Sequence, residues 1–200
     1  MPYSVADAAA LSEEMPSELG SRLRRTRLAK RLRLADVAVV VGCSESLLSK
    51  IETSKAMPSL RMLHRIALAL GTSIAELYSD PAVDEVIVRR AGERPTIRIG
   101  GGAQAGGISL EQIAPFAAGR SLDANVHVVA PGADNGGSIR HDGEEIGYVV
   151  EGEIELTVNG HVFCLTAGDS FFFRSDLPHS YRNVGSNVAR IVWVNTPPTF

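Results

Sequence analysis

The chain has 200 residues, 44% of them apolar and 22% charged, with a formal net charge of −3, a composition that suits one medium or two small globular domains. No run of about 18 apolar residues exists to cross a bilayer, and the start MPYSVADAAALSEEM lacks the basic and apolar regions of a secretory signal, so the expected setting is cytoplasmic with no membrane partner. Two isolated cysteines, Cys43 and Cys164, argue against a disulfide framework or a thiolate metal site and read as small buried hydrophobes.

The net charge conceals an asymmetry. Residues 1–15 carry three acids and no base, residues 16–80 eleven bases against six acids, and residues 81–200 nine bases against fourteen acids. A basic block ahead of an acidic one fits two domains with different partners, the first polyanionic; it also fits ordinary variation over a solvated surface. The acidic start, 1–16, reads as a disordered tail.

Residues 17–79 read as short helices. Leu19 and Leu23, then Leu34, Val37, Ala38 and Val41, then Leu47, Leu48 and Ile51, then Leu60, Leu63, Ile66, Ala67 and Leu70 recur at three- and four-residue spacing, one buried face per run. Gly42 ends one run, Ser44 caps the next, Pro58 and Ser59 precede another, and Gly71 closes it before a short helix at residues 73–78, giving five helices in all. A helix ending at Gly42, a short turn and a helix opening at Ser44 make a helix-turn-helix, whose second helix can lie in the DNA major groove.

From about residue 84 the period changes to two. VIVRR and TIRIGGG are β-rich, and EIELTVNGHVFCL is a hairpin around Asn159-Gly160. Further strands are expected at 125–129, 147–150, 170–173, 179–182 and 188–194, which together indicate a sandwich or barrel. Residues 80–125 serve as a linker with the first strands, and 126–200 as the core. GGGAQAGG at 100–107 reads as a flexible loop, since it has neither the Lys-Ser of a phosphate loop nor dinucleotide-binding spacing.

LLSKIE at 47–52, MPS at 57–59 and LHRIALALG at 63–71 resemble the DNA-binding domain of the lambda-repressor and Cro-like family, also called the xenobiotic-response-element family. The resemblance implies double-stranded DNA as partner, with Glu45, Ser46, Ser49 and Lys50 at or beside base edges and Ser44, Thr53 and Lys55 on phosphate; donor and acceptor chemistry permits each role. It also implies a buried ion pair between Arg27 and Glu52. Arg33 stands where the family often has a Ser or Thr cap, which removes a side-chain acceptor worth about 1 kcal/mol.

GSIRHDGEEIGYVVEG and AGDSFFFRSDLPHSYRN resemble the two motifs of the cupin family, a double-stranded β-helix or jelly-roll barrel, and NTPPTF at 195–200 resembles the tail of cupin regulators. In metal-binding cupins two His one residue apart, a Glu and a third His are the ligands. Here Ile139 takes the first His position, which leaves His141, Glu145 and His179 for a divalent Zn, Mn, Ni or Fe with an open position. Alternatively these residues are hydrogen-bonding groups of a polar pocket that requires no cofactor. The resemblance makes Arg140, His141, Glu145, Tyr148, His179 and Tyr181 candidate ligand-binding residues, with Phe171, Phe173 and Trp193 as further lining. His64, His127 and His161 read as structural or exposed.

The fold class is therefore multidomain, with a five-helix lambda-repressor-like domain followed by a cupin barrel. The leading function is a non-enzymatic DNA-binding transcriptional regulator whose barrel senses a small polar metabolite and which binds two half-sites as a homodimer. Alternatives are a metal-dependent cupin enzyme, a dioxygenase or isomerase, fused to a DNA-binding module, and a protein-interaction module with no DNA role.

Overall fold

The N-terminal periodicity folds as α1 (Pro16–Ala29), α2 (Leu34–Val41) and α3 (Glu45–Glu52). The structure, a computed structural model, describes residues 16–77, 87–100, 106–114 and 121–198, and the chain divides into two compact units at Met57 and Pro58. The acidic tail up to residue 15 lies outside the described residues.

In the first unit Leu19, Leu23, Val37, Ala38, Val41, Leu48 and Ile51 are buried. Leu47 departs from the expected buried run and is exposed, because its helical position places it on the solvent side while its backbone N–H donates to the Ser44 hydroxyl. Gly42 closes α2 in the left-handed conformation, φ 68°, which favours glycine. A Cβ on Gly20 would lie 2.5 Å from the Ile51 carbonyl oxygen; the missing side chain lets α1 approach the end of α3. Arg27 Nε donates to Glu52 Oε1 at 2.6 Å and a second guanidinium nitrogen to Oε2 at 2.8 Å, a buried bidentate pair between α1 and α3. The Arg33 substitution is offset in part: Asp36 accepts from the Arg33 backbone N–H and guanidinium, so this N–H at the start of α2 is satisfied by a carboxylate three residues on.

The second unit begins with α4 (Leu60–Ala69), capped by the Ser59 hydroxyl, and the single turn α5 (Ile74–Leu77). The described residues thus hold four helices of eight residues or more plus one short turn, near the five helices expected. Nine strands follow among the described residues: β1 (Thr96–Ile99), β2 (Ile108–Ala114), β3 (Asp123–Val129), β4 (Glu144–Glu151), β5 (Glu153–Val158), β6 (His161–Thr166), β7 (Ser170–Arg174), β8 (His179–Asn183) and β9 (Ala189–Thr196). They form a six-stranded sheet, β1-β2-β3-β9-β4-β7, and a three-stranded sheet, β6-β5-β8.

Two expectations are corrected. Residues 87–90 of VIVRR are not strand, and the unforeseen β2 pairs with β1 and β3 instead. The cysteines are not both buried: Cys43 is intermediate and Cys164, on the uncovered edge strand β6, is exposed. Residues 101–105 of the glycine-rich loop lie outside the described residues. No helix among the described residues is long and apolar enough to cross a membrane.

Candidate functional site

On α3, Glu45, Ser46 and Lys50 are exposed and Ser49 is half-buried, while Leu48 and Ile51 face the core. Period 3.6 places the candidate base-reading residues on the side away from the apolar stripe. Thr53 and Lys55 are exposed just beyond the helix. The Ser44 hydroxyl already accepts from Leu47 N at 3.1 Å and the Thr53 hydroxyl donates to the Ser49 carbonyl at 2.8 Å, so both shape the ends of α3.

The barrel site is assembled from both sheets. Alternation along β4 buries Glu145, Gly147 and Val149 and exposes Ile146, Tyr148 and Val150. Opposite Glu145 on β9 lies Asn195, which brings Trp193, two residues away on the same face, within reach; its indole N–H donates to Glu145 Oε2 at 2.6 Å. His179 enters from β8. Ile139 and His179 exchange backbone hydrogen bonds of 2.8 and 3.0 Å, and this bridge carries the following segment, with His141, to the same point.

The resulting group is tight. His141 Nε2 lies 2.8 Å and His179 Nε2 3.3 Å from Glu145 Oε1, and the three ligand atoms all fall within 4.8 Å of one another, an arrangement that could hold a metal ion. Glu145 and His179 are 1% and 2% exposed, and Glu145 Oε1 and His179 Nε2 have no aligned hydrogen bond. His141 Nδ1 lies 3.1 Å from the Asp142 carbonyl oxygen and His179 Nδ1 2.9 Å from that of Leu177. A carbonyl only accepts, so each Nδ1 carries the proton and, in the neutral ring, each Nε2 turns a lone pair toward the carboxylate. Lone pairs facing one another at these distances repel unless a proton or a cation lies among them, and backbone carbonyls behind the imidazoles with an indole behind the carboxylate are the outer partners that metal ligands use. Burial pushes the Glu145 carboxyl up, but the adjacent His141 and His179 imidazoles and the Trp193 indole N–H together hold it below its ordinary value. Burial lowers the His179 imidazole.

The other candidates separate. Arg140 is exposed, its Nε donating to the Asp176 carbonyl at 3.0 Å, and Tyr148 is 50% exposed on the outer face. Both corrections follow from parity: a strand that turns Glu145 and the segment's His141 inward turns residues at odd separation outward. Tyr181 is buried, but its hydroxyl is 2.8 Å from His127 Nδ1, and His127 stacks on Trp193 with ring centroids 4.9 Å apart. Burial pushes the Tyr181 phenol up and brings the His127 imidazole down to about 3, so both are neutral supports of the interior. Phe171 and Phe173 flank Trp193, and Ile139 is 4% exposed, its side chain held inside.

Residues 18–78 match the helix-turn-helix domain family and residues 125–195 the cupin domain family. The HTH-type transcriptional regulator PuuR of Escherichia coli (strain K12) is 32% identical over 181 residues, 90% of this chain and 96% of that protein. The chain belongs to the helix-turn-helix transcriptional regulators that carry a cupin domain. The HTH-type transcriptional regulator SutR of the same organism is 23% identical over 174 residues, 86% of this chain and 91% of that protein. A solved HTH_3 family transcriptional regulator from Vibrio cholerae shares the fold, with a TM-score of 0.67 and 20% identity over 92% of this chain and 97% of that one.

One further buried imidazole lies beside the His141–Glu145–His179 group. His64, on α4, is 4% exposed with its ring centroid 5.7 Å from that of His141. Burial and the neighbouring imidazoles bring it down to about 4, against a weaker pull upward from Glu145. The available signal was its place between Leu60 and Ala67 on the apolar face, a place that does not by itself tell a core histidine from a site histidine.

Proposed function

We propose that the regulator reads operator DNA with Glu45, Ser46, Ser49 and Lys50, positions itself through Ser44, Thr53 and Lys55, and senses a small polar effector at a divalent metal held by His141, Glu145 and His179. It works as a cytoplasmic homodimer and not as an enzyme. The observation that carries the sensor reading is the convergence of two imidazole nitrogens and one carboxylate oxygen inside 4.8 Å, each ring fixed from behind by a backbone carbonyl. A metal bound by three protein ligands keeps open positions, where an oxygen or nitrogen of the effector can coordinate.

Exposed apolar surface supports the second copy. Ile146 faces Phe172 across β4 and β7, with Tyr148 and Val150 beside them, all at least half exposed, and β6 exposes Val162 and Phe163 as well. Such surface on an edge strand and an outer sheet face suits burial against a like surface, and two readers match two half-sites.

The donor set also favours a second reading, since two His and one carboxylate with open positions are the ligands of non-haem iron oxygenases. One experiment separates the two. The full chain is stripped with chelator, reloaded with Fe²⁺, Mn²⁺, Ni²⁺ or Zn²⁺, and assayed for retained metal and for operator affinity. The sensor reading expects about one metal per chain and an operator affinity that changes at least about 5-fold on loading. Retained metal with unchanged operator affinity overturns it and leaves the enzyme reading; no retained metal overturns both.

A further inference from the structure

We infer that His64 of α4 lines one side of the His141–Glu145–His179 group, so that filling this group and seating α4 on the barrel are one linked event. The inference rests on the metal reading above and adds a residue from a different element.

On the strand segment before β4 the expected imidazole is absent, because position 139 is an isoleucine buried in the interior. A third imidazole nevertheless comes beside the group from α4, that of His64, buried against His141. The start of α4 is fixed to the loop that leads into the site. Arg61 N donates to the Asn135 carbonyl at 3.1 Å, and the Pro58 carbonyl accepts from Gly100 N at 2.9 Å. A Cβ on Gly136 would lie 2.5 Å from Ser59 Cβ, and one on Gly137 3.0 Å from an Arg61 guanidinium nitrogen; the two glycines let helix and loop lie in direct contact. Residues 135–137 precede Ile139 and His141 by two to six positions, so a shift of this segment moves ligand and helix together.

Neutral imidazole is a donor to Zn, Fe and Ni, and a polar group beside a metal site commonly changes its affinity about 10–100-fold. An occupant that touches His64 only when α4 is seated favours the seated arrangement by its differential affinity, and seating raises affinity for the occupant by the same factor. α4 lies within residues 18–78, the segment matched by the helix-turn-helix family. The helix that meets the occupant is therefore one that the sequence assigns to the DNA-binding domain.

The test uses the full chain with Zn²⁺ as probe. Zn²⁺ affinity is measured by chelator competition, and hydrogen exchange of residues 61–69 is compared with and without Zn²⁺, with β5 as internal reference. In the wild type Zn²⁺ protects α4 at least about 10-fold more than β5. His64→Ala, and His64→Gln as a polar replacement that keeps the helix folded, retain Zn²⁺ with affinity lowered about 10-fold and lose the extra protection. Unchanged affinity together with unchanged protection in His64→Gln overturns this inference while leaving the metal reading intact. A wild type that binds no Zn²⁺ but retains Fe²⁺, Mn²⁺ or Ni²⁺ is tested with that metal to the same two outcomes, and one that retains none overturns the metal reading and this inference with it.

Discussion

On α3 the side chains assigned to DNA stand in water, whereas in the barrel the side chains assigned to the effector are almost fully buried. Glu45, Ser46 and Lys50 are solvated in the free protein, so keeping them ready for bases costs folding little, and substitution there touches recognition more than stability. Glu145 and His179, at 1% and 2% exposure, have been taken from water to face one another, which opposes folding until a cation or proton neutralises the contact. Recognition and stability are thus separable at the reader and joined at the sensor.

The widest breach of this contrast is a buried ion pair on the reader's side. Arg27→Ala leaves Glu52 charged and buried, and is expected to lower the stability of the first unit by about 3–5 kcal/mol in chemical denaturation of the full chain followed by a probe in α1–α3. A loss no larger than that of an exposed pair would mean that the reader too holds its charges in water.

Asp123 sharpens the barrel side. Its carboxyl, hydrogen-bonded to Asn125, is pushed by burial to about 6, so stability falls as pH rises from its ordinary value near 4 through 6. Above pH 6 the deficit is complete, about 3 kcal/mol. His127 acts oppositely: with its folded value near 3, the stability it supplies is present above its ordinary value near 6.5 and is lost as pH falls toward 3. Asp123→Asn is therefore expected to raise stability above pH 6 by up to about 3 kcal/mol and to steepen the acid side of the pH–stability curve, read by thermal melts from pH 3 to 8.

Filling the site tests whether its buried polar groups are stability held in reserve. Zn²⁺ at one hundred times its dissociation constant is expected to stabilise the protein by about 2.7 kcal/mol, and Glu145→Ala to abolish the melting shift. The smallest effects belong to the reader. Lys50→Ala should relax discrimination at one base position by about 1–3 kcal/mol, and Lys55→Ala should lower affinity for all sequences and reduce the salt slope by about 1; both are read by operator titrations over salt, with melting temperatures unchanged.

Much of the fold was legible because its instructions are local. The helical periodicity to residue 70, the Gly42 terminus, the Ser44 and Ser59 caps and the Asn159-Gly160 hairpin each lie within a few residues of what they specify. β2 was hidden because Gln112 is buried and Ile113 faces out, inverting the alternation a strand is recognised by. VIVRR alternates well, yet residues 87–90 are not strand; alternation shows only that a segment could pair, not that a partner exists. Tyr148 was placed inside although it is three residues from Glu145, a parity conflict that only the β4–β9 register resolves.

By itself the sequence determined the helices of the first domain and most of the strands, the two family motifs, the Arg27–Glu52 pair and the candidate set of His141, Glu145 and His179. Tertiary structure decided which atoms of that set meet, which ring nitrogens are turned inward, that Trp193 holds the carboxylate, and that the His64 ring, 77 positions earlier in the chain, is buried beside His141. The division has a physical cause. Periodicity, caps and turns are written in neighbouring residues, whereas the site depends on the register of β4 against β9, the bridge between Ile139 and His179 and the contact of α4 with the 135–137 loop, and each of these is fixed by packing between segments far apart in the chain.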